Sequence, residues 1–87
     1  GNDGILKGML TLYRRTGCPY CLNVLDTARE LGLELKEKFI DDPKNAVELV
    51  ARGGKRQVPY LVDSGRGVKM YESEDIRAYL REHYPKL

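Results

Sequence analysis

The chain has 87 residues, 41% of them hydrophobic and 32% charged, a balance that suits one folded domain with a modest core rather than a disordered segment. Its 15 Lys and Arg against 13 Asp and Glu leave a net charge of +2, and the signs are interspersed without a basic run, which argues against a nucleic-acid partner. Apolar runs fall far short of the roughly 20 residues that a membrane span requires, and the start GNDGILKGML lacks a signal peptide's apolar segment, so a cytoplasmic protein with no membrane partner is expected.

Residues 1–8 are Gly-rich and read as a disordered tail or an expression remnant, with the domain spanning 9–87. Met9 to Tyr13 is short, apolar and bounded by charges, which reads as a mostly buried strand. Leu22, Leu25, Ala28 and Leu31 then recur at three-residue steps, predicting a helix from Pro19 to Leu31 that stops at Gly32. Leu33 to Phe39 alternates apolar and charged residues and reads as a half-exposed strand at a sheet edge. Asp41-Asp42-Pro43 supplies a cap and a first-turn proline for a helix through Val47, Leu49 and Val50, which ends at Gly53-Gly54. Val58 to Val62 and Val68 to Tyr71 flank the turn-rich segment 63–67 as a hairpin. Ser73 caps a last helix whose apolar face is Ile76, Tyr79 and Leu80 and whose first turn carries Glu74 and Asp75. The order is β-α-β-α-β-β-α, without repeats, linkers or low-complexity segments.

The chain's two cysteines, Cys18 and Cys21, stand in the run RTGCPYC. A disulfide closing so short a loop constrains little of the unfolded chain, and a structural zinc site needs four ligands where the sequence offers two thiols and the distant His83. A redox pair remains, and no metal ligands are expected. Cys18 falls at a strand-to-helix junction with Pro19 in the first helical position, so free N–H groups and the helix dipole favour its thiolate, with Arg14 or Arg15 adding positive charge. Cys18 is therefore the expected nucleophile. Cys21, one turn on, is placed to attack a mixed disulfide formed at Cys18 and is the expected resolving thiol.

From Leu10 to the last helix the sequence resembles the glutaredoxins, which have the thioredoxin fold. The C-P-Y-C motif, the preceding Tyr13 and Arg15, and Gln57-Val58-Pro59, similar to the family's T-V-P, carry the likeness. Thioredoxins differ by W-C-G-P-C, and this chain has no tryptophan. The resemblance implies an α/β fold with a mixed four-stranded sheet in order 2-1-3-4 flanked by three helices. It also implies a cis Pro59 facing the cysteines and a Val58 backbone that pairs with glutathione. Where glutaredoxins carry G-G-C-D-D, the chain has Glu72-Ser73-Glu74-Asp75-Ile76, which looks like the E-S-x-x-I pattern of the glutathione transferase N-terminal domain. That segment suits the γ-glutamyl end of glutathione, with free N–H groups and Ser73 meeting a carboxylate and Glu72, Glu74 or Asp75 meeting the ammonium. The expected glutathione site thus comprises Arg15, Tyr20, Gln57, Val58, Pro59, Glu72, Ser73 and Glu74.

The resemblance implies a monomeric, glutathione-dependent thiol-disulfide oxidoreductase acting on protein disulfides and glutathionylated proteins, with glutathione as co-substrate and no bound cofactor. An alternative is a [2Fe–2S] carrier in which Cys18 from two chains and two glutathiones hold the cluster. A fragment of a glutathione transferase is set lowest, because those proteins need a helical second domain for which the chain has no residues.

Overall fold

The computed structural model describes residues 9–86, so the expectation for residues 1–8 lies outside the described part. The elements are β1 (Leu10–Arg14), α1 (Pro19–Glu30), β2 (Lys36–Phe39), α2 (Pro43–Gly53), β3 (Tyr60–Asp63), β4 (Val68–Tyr71) and α3 (Ser73–His83). They form one mixed sheet in the order β2-β1-β3-β4. β1 pairs in parallel with β2 from Thr11–Lys36 to Arg14–Phe39, and antiparallel with β3 from Leu10–Asp63 to Tyr13–Tyr60. β3 and β4 form the hairpin. This is the thioredoxin fold, with the strand order and three helices that the sequence led us to expect.

Because β1 is central, alternate side chains feed two cores. Leu10 and Leu12 pack with Leu61, Val24, Ala28, Ile76, Tyr79 and Leu80, between the sheet and the pair α1 and α3. Tyr13 turns to the other face and packs with Tyr60, Val62, Ile40 and Leu49 under α2. All the side chains on this strand except the half-buried Thr11 are thus enclosed whichever way they point, as expected where both faces of a sheet are covered.

Four details differ from the sequence reading. First, α1 buries Cys21, Val24, Thr27 and Ala28, while Leu22 is 45% exposed. The spacing 21, 24, 28 describes the core stripe, and Leu22 lies off it. Second, β2 begins at Lys36, opposite Thr11, rather than at Leu33; Leu33 and Leu35 pack against the first core from the connection instead. Third, α2 buries Leu49 alone, leaving Val47 70% and Val50 41% exposed, so its inward stripe is Ala46, Leu49 and Gly53. Fourth, β3 starts at Tyr60, after the Val58–Pro59 segment rather than through it.

Helix ends follow local chemistry. Asp42 caps α2 by accepting the Lys44 N–H at 3.0 Å, with Pro43 in the first turn, and Gly54 closes the helix at φ +89°, a conformation that costs a side-chain-bearing residue and costs glycine nothing. α3 departs from expectation, since its N-cap is Glu72 and Ser73 is already the first helical residue. Glu72 holds φ 72° and ψ 114°, the one non-glycine residue at positive φ among those described. Backbone strain of this kind is of order 1–3 kcal/mol and tends to accumulate where ligands are held.

Candidate functional site

Cys18 is the N-cap of α1, with Pro19 following it and its N–H donating to the Arg15 carbonyl at 3.3 Å. Both thiols are free and buried, Cys18 5% and Cys21 0% exposed. Burial alone pushes the Cys18 thiol up. The Cys21 N–H, the Cys21 thiol, the Tyr20 N–H and the Arg15 charge more than reverse this, leaving it below its ordinary value. Cys21 moves the other way, to about 11, because burial and the neighbouring Cys18 outweigh the Arg15 N–H and the Arg14 charge. The two sulfurs therefore divide into an acidic thiol at the helix terminus and a basic one behind it.

The two arginines separate. Arg14 is 8% exposed and is held against β2, where Nη1 meets Glu37 at 2.7 Å and the guanidinium stacks over Phe39 at 4.6 Å. Arg15 is exposed on the cysteine side. Tyr13 does not reach the site, because its hydroxyl donates to Glu48 at 2.8 Å beneath α2, and burial together with this bond pushes its pKa to about 12.

Beside the cysteine end of α1, the Val58–Pro59 peptide bond is cis. Val58 borders two grooves. One, of about 510 Å³, is lined by Tyr20, Gln57, Val58, Pro59 and Glu72 to Asp75. The other, of about 450 Å³, is lined by Arg15, Ile40, Asp41, Arg56, Gln57 and Val58. Every residue of the expected glutathione site lines one groove or the other. Gln57 Nε2 donates to Glu72 Oε1 at 3.2 Å and ties the proline loop to the start of α3. The N–H groups of Ser73, Glu74 and Asp75 fall in the first turn, where a helix has no internal acceptors, so they are available to an anion. Of the three acids, Glu74 is held by Arg77 at 2.9 Å and Glu72 accepts from Gln57.

Arg56 and Asp41 were missed in the sequence. Asp41 read as part of a helix cap, yet its carboxylate accepts the Thr16 N–H at 3.1 Å and braces the loop before Cys18, and that bond, with Arg15 nearby, holds its pKa below the ordinary range. Arg56 carries no local signal; only the fold brings it opposite Arg15. The two grooves thus differ in sign, acidic with a helix terminus on the Tyr20 side and basic on the Arg56 side. Among the described residues no cluster of three or more His, Cys, Asp or Glu could hold a metal ion, and no helix is long and apolar enough to cross a membrane.

Fold and site together define a thioredoxin-fold domain with a cysteine pair opening its first helix beside a cis-proline loop. The chain belongs to the glutathione S-transferase N-terminal domain family, whose model matches residues 12–86. A delta-class glutathione transferase of Nilaparvata lugens is 31% identical with a TM-score of 0.74, over 86% of this chain and 36% of that one. A glutathione S-transferase of the Antarctic clam Laternula elliptica is 32% identical with a TM-score of 0.77, over 91% and 36%. A glutathione transferase homologue of Drosophila mojavensis, solved with bound glutathione, is 25% identical with a TM-score of 0.75, over 88% and 36%. The chain spans little more than a third of the length of these transferases. No curated protein matches it.

This corrects the preference for glutaredoxins. That preference weighed the four residues C-P-Y-C above the rest, whereas the family likeness runs over residues 12–86 and includes the E-S-x-x-I segment. The transferase reading was ranked last for want of a second domain, but the likeness concerns the N-terminal domain alone.

Proposed function

We propose that this domain binds glutathione and uses it for thiol-disulfide exchange at Cys18. The observation that carries the reading is the opposed shift of the two thiols, Cys18 down and Cys21 up, at a helix terminus beside two grooves of opposite sign. Glutathione lies along Val58, with its γ-glutamyl carboxylate at the free N–H groups of α3, its ammonium at Glu72 or Asp75, and its glycyl carboxylate toward Arg15 and Arg56. The Cys18 thiolate attacks the glutathione sulfur of a mixed disulfide, forming Cys18–S–S–glutathione and releasing the substrate's thiolate. A second glutathione thiolate then attacks the bound glutathione's sulfur, which frees Cys18 and yields oxidised glutathione. With protein disulfides, Cys21 supplies the second attack once it has lost its proton, and two glutathiones reduce the resulting Cys18–Cys21 disulfide. A cytoplasmic setting, where glutathione is abundant and reduced, suits this chemistry.

The family match favours a second reading, in which bound glutathione is itself the nucleophile and is transferred to an electrophilic small molecule. One assay separates the two. A glutathionylated peptide is offered with excess glutathione to the native chain, Cys18→Ser and Cys21→Ser, and an activated aryl chloride is offered in parallel. Thiol-disulfide chemistry predicts peptide reduction by the native chain and Cys21→Ser and none by Cys18→Ser. Consumption of the aryl chloride alone, indifferent to Cys18→Ser, would replace it with the transferase reading.

A further inference from the structure

A groove of about 700 Å³ lies between α1 and the connection into β2. Its apolar wall is formed by Leu22 and Leu25 from α1, with Leu33 and Leu35 from the connection opposite, and all but Leu22 also touch the first core. Leu22 is 45% exposed, although helical spacing marked it for the interior. A volume of this size with apolar walls falls in the range of small-molecule sites.

A groove of this kind needs polar groups to orient a ligand, and Arg14 supplies one. It lines the groove, is 8% exposed, and spends Nη1 on Glu37, while its buried Nε–H has no acceptor. A buried donor without a partner is rare in folded proteins and marks a place where an acceptor belongs. The guanidinium edge that carries Nε is the edge a planar carboxylate meets with two parallel hydrogen bonds. The remaining charges on the rim largely cancel, since Arg29 faces Asp26 at 3.9 Å and Lys36 stands beside Glu34 and Glu37. The groove therefore selects through Arg14 rather than through a general field.

We infer that this groove binds an organic carboxylate with a compact apolar body, the carboxylate on the Nε edge of Arg14 and the body against Leu22, Leu25, Leu33 and Leu35. The site is distinct from the glutathione grooves, although the Arg14 charge also acts on the Cys21 thiol.

The test is an amide chemical-shift titration of the full chain with 4-phenylbutyrate, and with 4-phenylbutanol and 4-phenylbutylammonium as neutral and cationic counterparts. Shifts should gather at residues 22, 25, 33 and 35, with the butyrate binding about tenfold more tightly than the alcohol, as expected for one charge-assisted pair. Leu22→Asp, at an exposed position, should abolish binding without lowering the melting temperature. Arg14→Gln should remove the preference for the acid while leaving the alcohol's affinity in place. Should Arg14→Gln prove unfolded, the comparison of acid with alcohol in the native chain still decides. Equal affinity for acid and alcohol, shifts confined to residues 20, 58 and 73, or no shifts at millimolar ligand would each overturn the assignment.

Discussion

Replacing Gly53 by alanine should strain the junction that carries the proline loop. A Cβ built on Gly53 would collide with the Tyr71 hydroxyl, stand 2.8 Å from Tyr71 Cζ and 3.1 Å from Tyr60 Cε1. Tyr71 cannot easily yield. Its hydroxyl donates to the Lys55 carbonyl at 2.7 Å and accepts the Lys55 N–H at 3.4 Å, and its ring stacks on Tyr60 at 4.5 Å with Lys55 Nζ over the other side. Overpacking of this sort costs about 1–3 kcal/mol, and loss of the Lys55 hydrogen bond about 1 kcal/mol more. Alanine's better helix propensity returns at most about 1 kcal/mol, and less in a last turn. The net expectation is a loss of about 1–3 kcal/mol, which for a domain of this size lowers Tm by roughly 5–20 °C. Because Lys55 leads into Gln57 and Val58, glutathione affinity should fall as well. Calorimetric melting of Gly53→Ala, Tyr71→Leu and the double variant is the assay, and the alanine's cost should largely vanish in the Tyr71→Leu background. An unchanged or raised Tm for the single variant would refute the reasoning.

Iodoacetamide should modify Cys18 at pH values below those at which an ordinary thiol reacts, whereas Cys21, pushed to about 11, should stay inert through neutral pH; equal profiles in Cys21→Ser and Cys18→Ser would contradict the helix-terminus argument. Asp63 is fully buried, accepting the hydroxyls of Tyr79 at 2.6 Å and Tyr84 at 2.5 Å, so Asp63→Ala should cost about 2–4 kcal/mol in urea unfolding by leaving two phenols without acceptors. Glu48 has its pKa lowered by hydrogen bonds from Lys38 and Tyr13, so its contribution is fully present above its ordinary carboxylate range and is lost as pH falls through the depressed value; Glu48→Gln should flatten that acid limb of the stability profile. Glu72→Gly should relieve the positive φ and leave Tm equal or higher, while weakening glutathione binding through loss of the Gln57 contact and the carboxylate.

The hairpin and the helix ends were legible because each rests on local signals, Pro43 after Asp42, the glycines at 32 and 54, and the turn at 63–67, whereas the strand order came with the family resemblance. Periodicity misled where a helix carries more apolar residues than its core face holds. Leu22, Val47 and Val50 all fit a three-residue spacing, and only packing decides that Cys21, Val24 and Leu49 go inward. The opposed acidity of the two thiols was readable from one tetrapeptide because a thiol's acidity depends on its nearest N–H groups. The rest of the site was less so. Arg56 faces Arg15 only because the fold brings the proline loop to the end of β1, and Glu74 is engaged by Arg77 one helical turn away. The family match runs over residues 12–86, and the transferase-like segment Glu72 to Ile76 was outweighed by the more conspicuous C-P-Y-C.

The central claim is that Cys18 takes glutathione from a mixed disulfide, and trapping tests it most directly. Cys21→Ser, which lacks the second thiol, is mixed with a glutathionylated peptide in the absence of free glutathione and analysed by intact mass and peptide mapping. Glutathione should appear on Cys18 while the peptide emerges with a free thiol. Peptide rather than glutathione attached to Cys18 would mean that the groove does not orient the tripeptide as argued, and an unmodified protein would contradict the claim that Cys18 is the nucleophile.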